Sequence, residues 1–280
     1  MDKKTFAISG IDQYAIGTYL VDQNLKLSQL KQLQKDFYPV LKAKGSLPFG
    51  EKGRLEYENV KVCALPVIDA AKNIALKNQL PDISGQININ SMTITDNLTK
   101  ITEHGLHFFT YGRLNGSRLI AAWIRHLFLN LTAPDHYPKN TIVTGRDPQG
   151  KKNLVQYQFL PLKSDGLQYF KKLVQIYLQG RDQVFYFSCE TSWQLVQILS
   201  KNSFNPDPDI VLKAMNNSKV TSIWYGNNYY AGEKSNPYIS LCLKNKDPFE
   251  SVETLLDSGF VQNSISVYKP LLENLKTINK

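Results

Sequence analysis

The segment over residues 43–53 constrains the fold more than any other part of the chain. It carries Gly45, Gly50 and Gly53 around Pro48. Glycine readily adopts the left-handed backbone that ends helices, and the residue before a proline is held in an extended conformation. The segment therefore predicts a helix end, an extended step and a tight turn. Such a loop either positions a functional surface or simply connects a helix to a strand, and both interpretations fit its residues.

Hydrophobic periodicity predicts two helices before this loop, over residues 12–45, with a kink or a restart at Pro39. One apolar helical face is given by residues at three- and four-residue spacing, namely Leu30, Leu33, Phe37 and Leu41. After the loop, alternation over residues 54–62 predicts a strand, and residues 69–80 predict a short helix.

The pattern changes to period two over residues 82–111, which is typical of half-buried strands. An apolar helix is expected over residues 118–131 with Ser117 as its cap, followed by a turn-rich tract over residues 134–150. Beyond this tract we expect strands over residues 153–159 and 184–187, helices over 164–178 and 192–200, a linker over 202–209, and a helical tail from 248 that breaks at Gly259 and near Pro270.

This order of elements favours an α/β fold or an irregular α+β fold, with a mixed sheet flanked by helices, because strands and helices do not alternate regularly. The chain of 280 residues is long enough for one large domain over residues 1–280, with a subdivision expected near residues 202–209. No window approaches the roughly 20 apolar residues of a membrane helix, and no secretory signal is recognised, so we expect a cytoplasmic protein.

The net charge of +9 makes an anionic partner plausible. The candidate DNA-binding residues are Lys42, Lys44, Lys52, Arg54, Arg113, Arg118, Arg125, Lys151 and Lys152. Cations of this kind neutralise phosphates, and Tyr111 and Phe49 among them are candidates for stacking on unpaired bases. The alternative is a solvated basic surface, with Phe49 packed in the core.

Aromatic residues are dense between residues 220 and 243, around two glycines. Trp224, Tyr225, Tyr229 and Tyr230 are the candidate residues of a partner interface, since tyrosine and tryptophan are enriched at binding hot spots. A twisted hairpin packed on its own core explains the same pattern equally well.

Sequence motifs for catalysis are lacking. The two glycines of residues 145–150 are not followed by the Lys-Ser/Thr pair of a phosphate-binding loop. His104 and His107 would lie on opposite faces of a strand, and His126 fits a satisfied helix residue better than a general base. Three widely spaced cysteines indicate neither a zinc site nor a disulfide framework. We therefore expect no metal, no cofactor and no catalytic residue.

A set of short stretches, taken in order, carries a resemblance to a known family. They are SGIDQY at residues 9–14, the glycine-rich segment 43–53, RLEYE at 54–58, GLHFF at 105–109, RLIAAWIRHL at 118–127, DGLQYF at 165–170, YLQG at 177–180, WYG at 224–226 and YKPL at 268–271. Together they resemble the C-terminal region of the RecC subunit of exodeoxyribonuclease V, the bacterial RecBCD helicase-nuclease. The resemblance covers most of the chain, although no single motif is a catalytic signature.

The resemblance implies a fold related to the PD-(D/E)XK nucleases, in which two carboxylates hold Mg²⁺ and a lysine positions water or phosphate. The second of the corresponding strands, residues 106–112, carries neither a carboxylate nor a lysine. A nuclease-like fold without nuclease activity is therefore expected. The resemblance also implies RecB and RecD as partner subunits, duplex DNA ends and separated strands as ligands, RecD as the partner of the aromatic segment, and a longer subunit of which this chain is one part.

Two rival hypotheses remain open at the level of sequence. The first is an active Mg²⁺-dependent nuclease that uses carboxylates such as Asp96 or Glu103. The second is a pure protein-interaction scaffold that captures RecD and does not bind DNA.

Overall fold

A computed structural model of the chain describes residues 8–29, 36–75, 78–244 and 246–278. Its helices are α1 (Gly10–Gln29), α2 (Tyr38–Ala43), α3 (Gly50–Ala75), α4 (Gly116–Thr132), α5 (Gly166–Asp182), α6 (Cys189–Leu199), α7 (Pro208–Met215), α8 (Ser218–Tyr225), α9 (Pro237–Leu243), α10 (Val252–Asp257) and α11 (Phe260–Asn274). Its strands are β1 (Ile83–Ile89), β2 (Met92–Leu98), β3 (Ile101–Thr102), β4 (Gly105–Arg113), β5 (Thr141–Arg146), β6 (Val155–Phe159), β7 (Gly226–Asn227), β8 (Tyr230–Ala231) and β9 (Leu275–Thr277).

The main sheet has five strands in the order β3-β4-β5-β6-β9. Strands β4 and β5 are parallel, and the other neighbours are antiparallel. The edge strand β9 comes from the far end of the described chain and pairs Leu275 with Phe159. Strands β1 and β2 form a separate antiparallel hairpin. The predicted mixed sheet flanked by helices is confirmed.

Apolar layers cover both faces of the central strands. On one face, α4 and its neighbours build the largest core, in which Trp123, Phe128 and Phe159 are fully buried. On the other face, α1 and α3 pack around Tyr57 and enclose Tyr111 of β4. Burial on both sides explains why every residue of β4 before Arg113 is buried or half-buried.

Helices α6 and α11 each belong to two cores. Trp193 of α6 packs with the sheet core, whereas Leu195 and Leu199 of the same helix join a third core built from α7 to α11. Acidic side chains fix how these helices start. Glu190 accepts backbone N–H bonds from the first turn of α4 at 2.9 and 3.1 Å, and Glu233 accepts them from the first turn of α6 at 3.0 and 2.8 Å.

The helices before the glycine-rich segment are confirmed as α1 and α2, with Pro39 in the first turn of α2. Phe37 and Leu41 are buried as expected, whereas Leu30 and Leu33 lie outside the described residues. Gly45 and Gly50 have left-handed backbones with φ of 68° and 72°. A Cβ on Gly53 would overlap the carbonyl oxygen of Pro48. The segment is therefore as constrained as its sequence predicts.

The strand predicted over residues 54–62 is wrong, because these residues belong to the long helix α3. The buried positions of this helix include Tyr57, Val60, Ala64, Val67 and Ala71, at alternating three- and four-residue steps. The alternation over residues 54–62 covers only the first turns of this helical face. The short helix predicted from residue 69 is the end of the same helix.

Two other strand predictions also need correction. Residues 184–187 pair with no strand of the described chain and form an extended segment held by Asn263, which donates to the carbonyl of Tyr186 at 3.1 Å. Conversely, the tract interpreted as turn-rich contains β5, the central partner of β4. The cap of α4 is Asn115 rather than Ser117. Pro270 lies inside α11 without ending it.

Candidate nucleic-acid and partner surfaces

Three arginines meet where the parallel strands β4 and β5 end. Arg113 and Arg146 are register partners in the last pair of this ladder. Arg118, in the first turn of α4, donates to the backbone oxygen of Arg113 at 3.3 Å and to the side-chain oxygen of Asn115 at 3.0 Å. We call Arg113, Arg118 and Arg146 the arginine cluster. It lies at the carboxyl ends of parallel strands, where open sheets commonly place ligand sites.

Two tyrosines support the arginine cluster from the α1 side. The Arg118 guanidinium carbon lies 4.9 Å from the Tyr14 ring centre, and that of Arg146 lies 4.9 Å from the Tyr111 ring centre. The two rings are 6.4 Å apart, and a Cβ on Gly17 would overlap Tyr111. The pKa of the Tyr14 phenol is lowered. Partial burial alone would raise this pKa, but hydrogen bonds with Thr110, Arg118 and Thr18 outweigh the effect of burial.

The charges of the arginine cluster are not neutralised within the fold. Among the residues that the structure describes, no carboxylate lies within 4.0 Å of a guanidinium nitrogen of Arg113, Arg118 or Arg146. Guanidinium groups present planar pairs of donors that match phosphate geometry. The cluster is therefore chemically suited to an anionic ligand of the phosphate class.

Arg125 does not join this cluster. It lies seven residues beyond Arg118, about 10 Å further along α4 at 1.5 Å per residue. Its Nε lies 3.7 Å from an Asp96 carboxylate oxygen, and its guanidinium carbon lies 5.8 Å from the Phe108 ring centre. This neighbourhood also gives Asp96, the carboxylate of the rival nuclease hypothesis, a cationic partner.

A second basic surface surrounds the glycine-rich segment. Lys42, Lys44, Lys52 and Arg54 are all exposed there, on or next to α2 and the start of α3. Lys44 lies over Tyr19 at 4.8 Å, and Arg54 lies over Tyr38 at 5.9 Å. Phe49 is 95% exposed, so packing in the core does not explain it.

Lys151 and Lys152 are exposed on the turn between β5 and β6. Asp147 organises this turn by accepting backbone N–H bonds, from Gln149 at 3.0 Å and from both lysines at 2.9 Å. The pKa of the Asp147 carboxyl is lowered: desolvation opposes the shift, but these backbone donors outweigh it. The carboxylate therefore shapes the turn while the two ammonium groups stay outside.

The aromatic segment divides into a buried part and an exposed part. Trp224 is 1% exposed and donates from Nε1 to Asp247 at 2.9 Å, which corrects the expectation that its ring reaches a partner. The Tyr225 hydroxyl donates to the other Asp247 oxygen at 3.0 Å. Tyr229 and Tyr230, on the small β7–β8 hairpin, are 94% and 48% exposed. These two rings and the outer edge of Tyr225 remain as a candidate partner surface.

The histidines take up structural positions. His107 Nε2 lies 2.9 Å from Thr102 Oγ1 within the fold, whereas His104 is exposed. His126 is fully buried with Nδ1 3.0 Å from Thr141 Oγ1. In the part of the chain that the structure describes, no three His, Cys, Asp or Glu side chains are grouped as metal ligands. No described helix has the length and apolar character needed to cross a bilayer.

Comparison with known proteins identifies the family. The family model described as RecC C-terminal domain matches residues 1–199, which extend from the N-terminus through the end of α6. The chain belongs to this family. It is also similar to the RecBCD enzyme subunit RecC of Buchnera aphidicola subsp. Baizongia pistaciae (strain Bp), with 25% identity over 244 residues. That alignment covers 85% of this chain and 20% of the Buchnera subunit, so the chain spans about a fifth of the length of this relative.

Within this RecC C-terminal domain, Arg146 was not predicted as a site residue, although Arg113 and Arg118 were. Residues 145–150 resemble only an incomplete phosphate loop and a turn. The β-branched run Thr141–Thr144, which precedes Arg146, was the available signal for a strand. Recognising that strand as parallel to β4 would have placed the two strand ends, and both arginines, together.

Proposed function

We propose that this chain is a non-catalytic module of a RecC-type subunit in an exodeoxyribonuclease V complex. In this role it supports assembly with RecB and RecD, takes part in splitting duplex ends, and guides the separated strands during double-strand break repair in the cytoplasm. Membership of the RecC C-terminal domain family carries the proposal. Hydrolysis of DNA and ATP belongs, on this view, to the partner subunits.

The arginine cluster supports a role in DNA contact. Its three arginines lie at the carboxyl ends of β4 and β5, where Arg113 and Arg146 are register partners and Arg118 donates to the backbone of Arg113, without carboxylate neighbours among the described residues. Tyr14 and Tyr111 hold two of them by cation–π contacts, which favours a preorganised site over flexible surface cations. The lysines of the glycine-rich segment and Arg125 are proposed as outlying contacts.

The neighbouring carboxylates support a non-catalytic role. Glu190 and Glu233 accept bonds from helix N-termini, and Asp147 and Asp247 organise turns and aromatic side chains. Strand β4 presents His, Phe, Thr and Tyr where a PD-(D/E)XK nuclease needs acidic and lysine side chains. We propose that the mixed sheet is such a nuclease fold in which the metal-binding residues have been replaced.

The β7–β8 hairpin is the proposed contact with RecD. An almost fully exposed tyrosine at a hairpin tip offers a large amphipathic ring at low entropic cost, as binding hot spots commonly do. Tyr229 provides such a ring, and the Tyr225–Asp247 hydrogen bond fixes the base of the hairpin.

Incubation of the purified chain with end-labelled forked DNA and Mg²⁺ or Mn²⁺ tests the catalytic part of the proposal. The DNA strands are expected to stay intact on a denaturing gel at high protein excess. Cleavage that depends on the metal and disappears in Asp96→Ala or Glu103→Ala would establish the rival nuclease instead.

Two further measurements test the surfaces. Replacing Arg113 and Arg146 with glutamine should weaken binding to forked DNA, whereas Arg181→Gln on α5 should not. Tyr229→Ala should weaken co-purification with a RecD-type subunit, whereas the exposed Tyr177→Ala should not. Equal behaviour of each variant and its control would contradict the corresponding surface.

A further inference from the structure

A long groove runs between α6, α8 and the turn that joins β5 to β6. It consists of two cavities of about 590 and 430 Å³. Both cavities are lined by Gln194, Gln197 and Lys219, so they form one continuous depression. The first reaches Lys151 and Tyr230 at one end, and the second reaches Lys201 at the other. We call this depression the amide–lysine groove.

The floor of the groove has a regular spacing of polar side chains. Gln194 and Gln197 lie three residues apart on one face of α6, and Lys201 follows in the 3-10 turn Ser200–Asn202 directly after this helix. The two glutamine amides form no side-chain hydrogen bond with any described residue, although both are half-buried. Each amide therefore presents a free donor and a free acceptor to whatever occupies the groove.

The groove is also cationic. The ammonium groups of Lys151, Lys201 and Lys219 have no carboxylate within 4.0 Å in the described ranges of the chain. Asp147 is the acidic residue among the lining residues, and its oxygens accept the backbone N–H bonds of its own turn. Lys151 interacts electrostatically with Asp147, and with Lys201 and Lys219 the lysines outnumber the single carboxylate of the lining.

An aromatic ring is available at the wider end. Tyr230 lines the groove, is 48% exposed, and has no aromatic or cationic side chain stacked on its ring among the described residues. This end is next to the arginine cluster along the chain. Leu114 and Asp147, which both line the groove, directly follow Arg113 and Arg146 in the chain.

We propose that the amide–lysine groove binds a single strand of nucleic acid that passes on from the arginine cluster. The lysines contact its phosphates, the glutamine amides contact base edges, and Tyr230 stacks on a base. From Gln194 to Lys201 the groove follows the second half of α6 and the 3-10 turn after it for about 10 Å. This inference rests on the DNA contact in the proposed function and assigns that contact to a defined path.

A single strand fits this lining better than a duplex or an acidic peptide. Bases of a duplex are already stacked on each other, so they are unavailable to a tyrosine ring. An acidic peptide would pair its carboxylates with the lysines and its backbone amides with the glutamines, but aspartate and glutamate side chains offer no flat ring to stack on Tyr230. A single strand supplies regular negative charges for the lysines, hydrogen-bonding base edges for the glutamine amides and a flat base for the tyrosine ring.

The test measures binding of a short fluorescent oligothymidylate to the full chain by anisotropy, between about 50 and 200 mM salt. The variant replaces Lys151, Lys201 and Lys219 with glutamine. The control replaces Lys163, Lys171 and Lys172, which are exposed and line neither cavity, so the two variants have the same net charge. Circular dichroism verifies that both are folded.

The groove variant should lower the slope of log K against log salt by about 2, since each single-strand phosphate contact contributes about 0.7. The corresponding loss at 0.1 M salt is roughly a hundredfold. Tyr230→Leu should weaken binding about fivefold or more, whereas Tyr177→Leu should not. The control should keep the full salt slope.

The failures are distinguishable. If the unaltered chain binds the oligonucleotide and the groove variant behaves like its control, the groove assignment is overturned while DNA contact elsewhere stands. If the unaltered chain does not bind the oligonucleotide, the groove and DNA contact both fail, and the assembly role is judged separately by co-purification. Tighter binding of a glutamate-rich peptide than of the oligonucleotide would identify a different occupant and would also overturn the proposal.

Discussion

The buried imidazole of His126 makes the stability of this fold depend on pH in a way that can be calculated. His126 is fully enclosed in the sheet core, with ring centres of Trp123 and Phe159 at 5.4 and 5.2 Å. Burial disfavours the charged form and lowers the pKa of His126 to about 3, although a backbone hydrogen bond at Leu160 opposes the shift. The unfolded chain restores a pKa of about 6.5.

The sign follows from proton uptake. Between pH 6.5 and pH 3 the unfolded chain binds a proton that the folded chain does not, so the free energy of unfolding falls as the pH falls through this window. The contribution is fully present above pH 6.5. At about 1.4 kcal/mol per pH unit, lowering the pH from 7 to 5 costs about 2 kcal/mol through His126 alone.

Urea unfolding of the chain and of His126→Gln at several pH values between 5 and 7 tests this. The variant should lose about 2 kcal/mol of the pH dependence, whatever its absolute stability, because only differences across pH are compared. His104→Gln removes an exposed histidine and should keep the dependence of the unaltered chain. Identical pH dependence in the chain and in His126→Gln would refute the argument that this imidazole is buried and neutral.

Three further substitutions separate structural from surface roles. Trp224→Ala should lower the free energy of unfolding by about 3–5 kcal/mol in thermal unfolding, because it empties a core site. Tyr229→Ala should change it by less than about 0.5 kcal/mol. Similar losses in the two variants would contradict the division of the aromatic segment into a buried and an exposed part. Gly53→Ala should lower the free energy of unfolding by about 1–3 kcal/mol, because the new Cβ overlaps a backbone oxygen. Gly10→Ala should be nearly neutral in the same measurement, because no neighbouring atom lies within 4 Å of the added Cβ. Asp147→Asn should destabilise the chain by about 1–2 kcal/mol, because one oxygen that accepts backbone N–H bonds is lost. Hydrogen exchange of the amides in this turn should become faster. Unchanged exchange would show that the turn keeps its conformation without the carboxylate.

Local patterns were sufficient where a single element buries one face. The β1–β2 hairpin and helix α4 follow from such patterns, because Ile87 or Leu127 meets its core regardless of distant partners. Helix α3 was misread because its first turns also alternate, and only the continued burial of Ala64, Val67 and Ala71 shows the helical period. A window of a few residues does not contain that information.

Long-range pairing determined the features that sequence patterns did not reveal. Strand β5 lies between proline- and glycine-rich turns and becomes a strand because β4 and β6 flank it. Arg146 depended on that pairing for its place beside Arg113. The density of aromatic residues likewise predicted a partner interface over residues 224–230. Which of these rings is buried in the core depends on the contacts of Trp224 with Phe249 and Phe260, which are distant in sequence.

The origin of strand β9 has a consequence for synthesis of the chain. Strand β6 leaves the ribosome with one backbone edge open, and the segment that closes it follows more than a hundred residues later. At about 5–20 residues per second, that edge stays uncovered for about 5–20 s. Exposed strand edges recruit other strands, so nascent chains on one messenger can pair with each other during this interval. Chaperone demand should therefore be concentrated in the time between the emergence of Phe159 and that of Leu275.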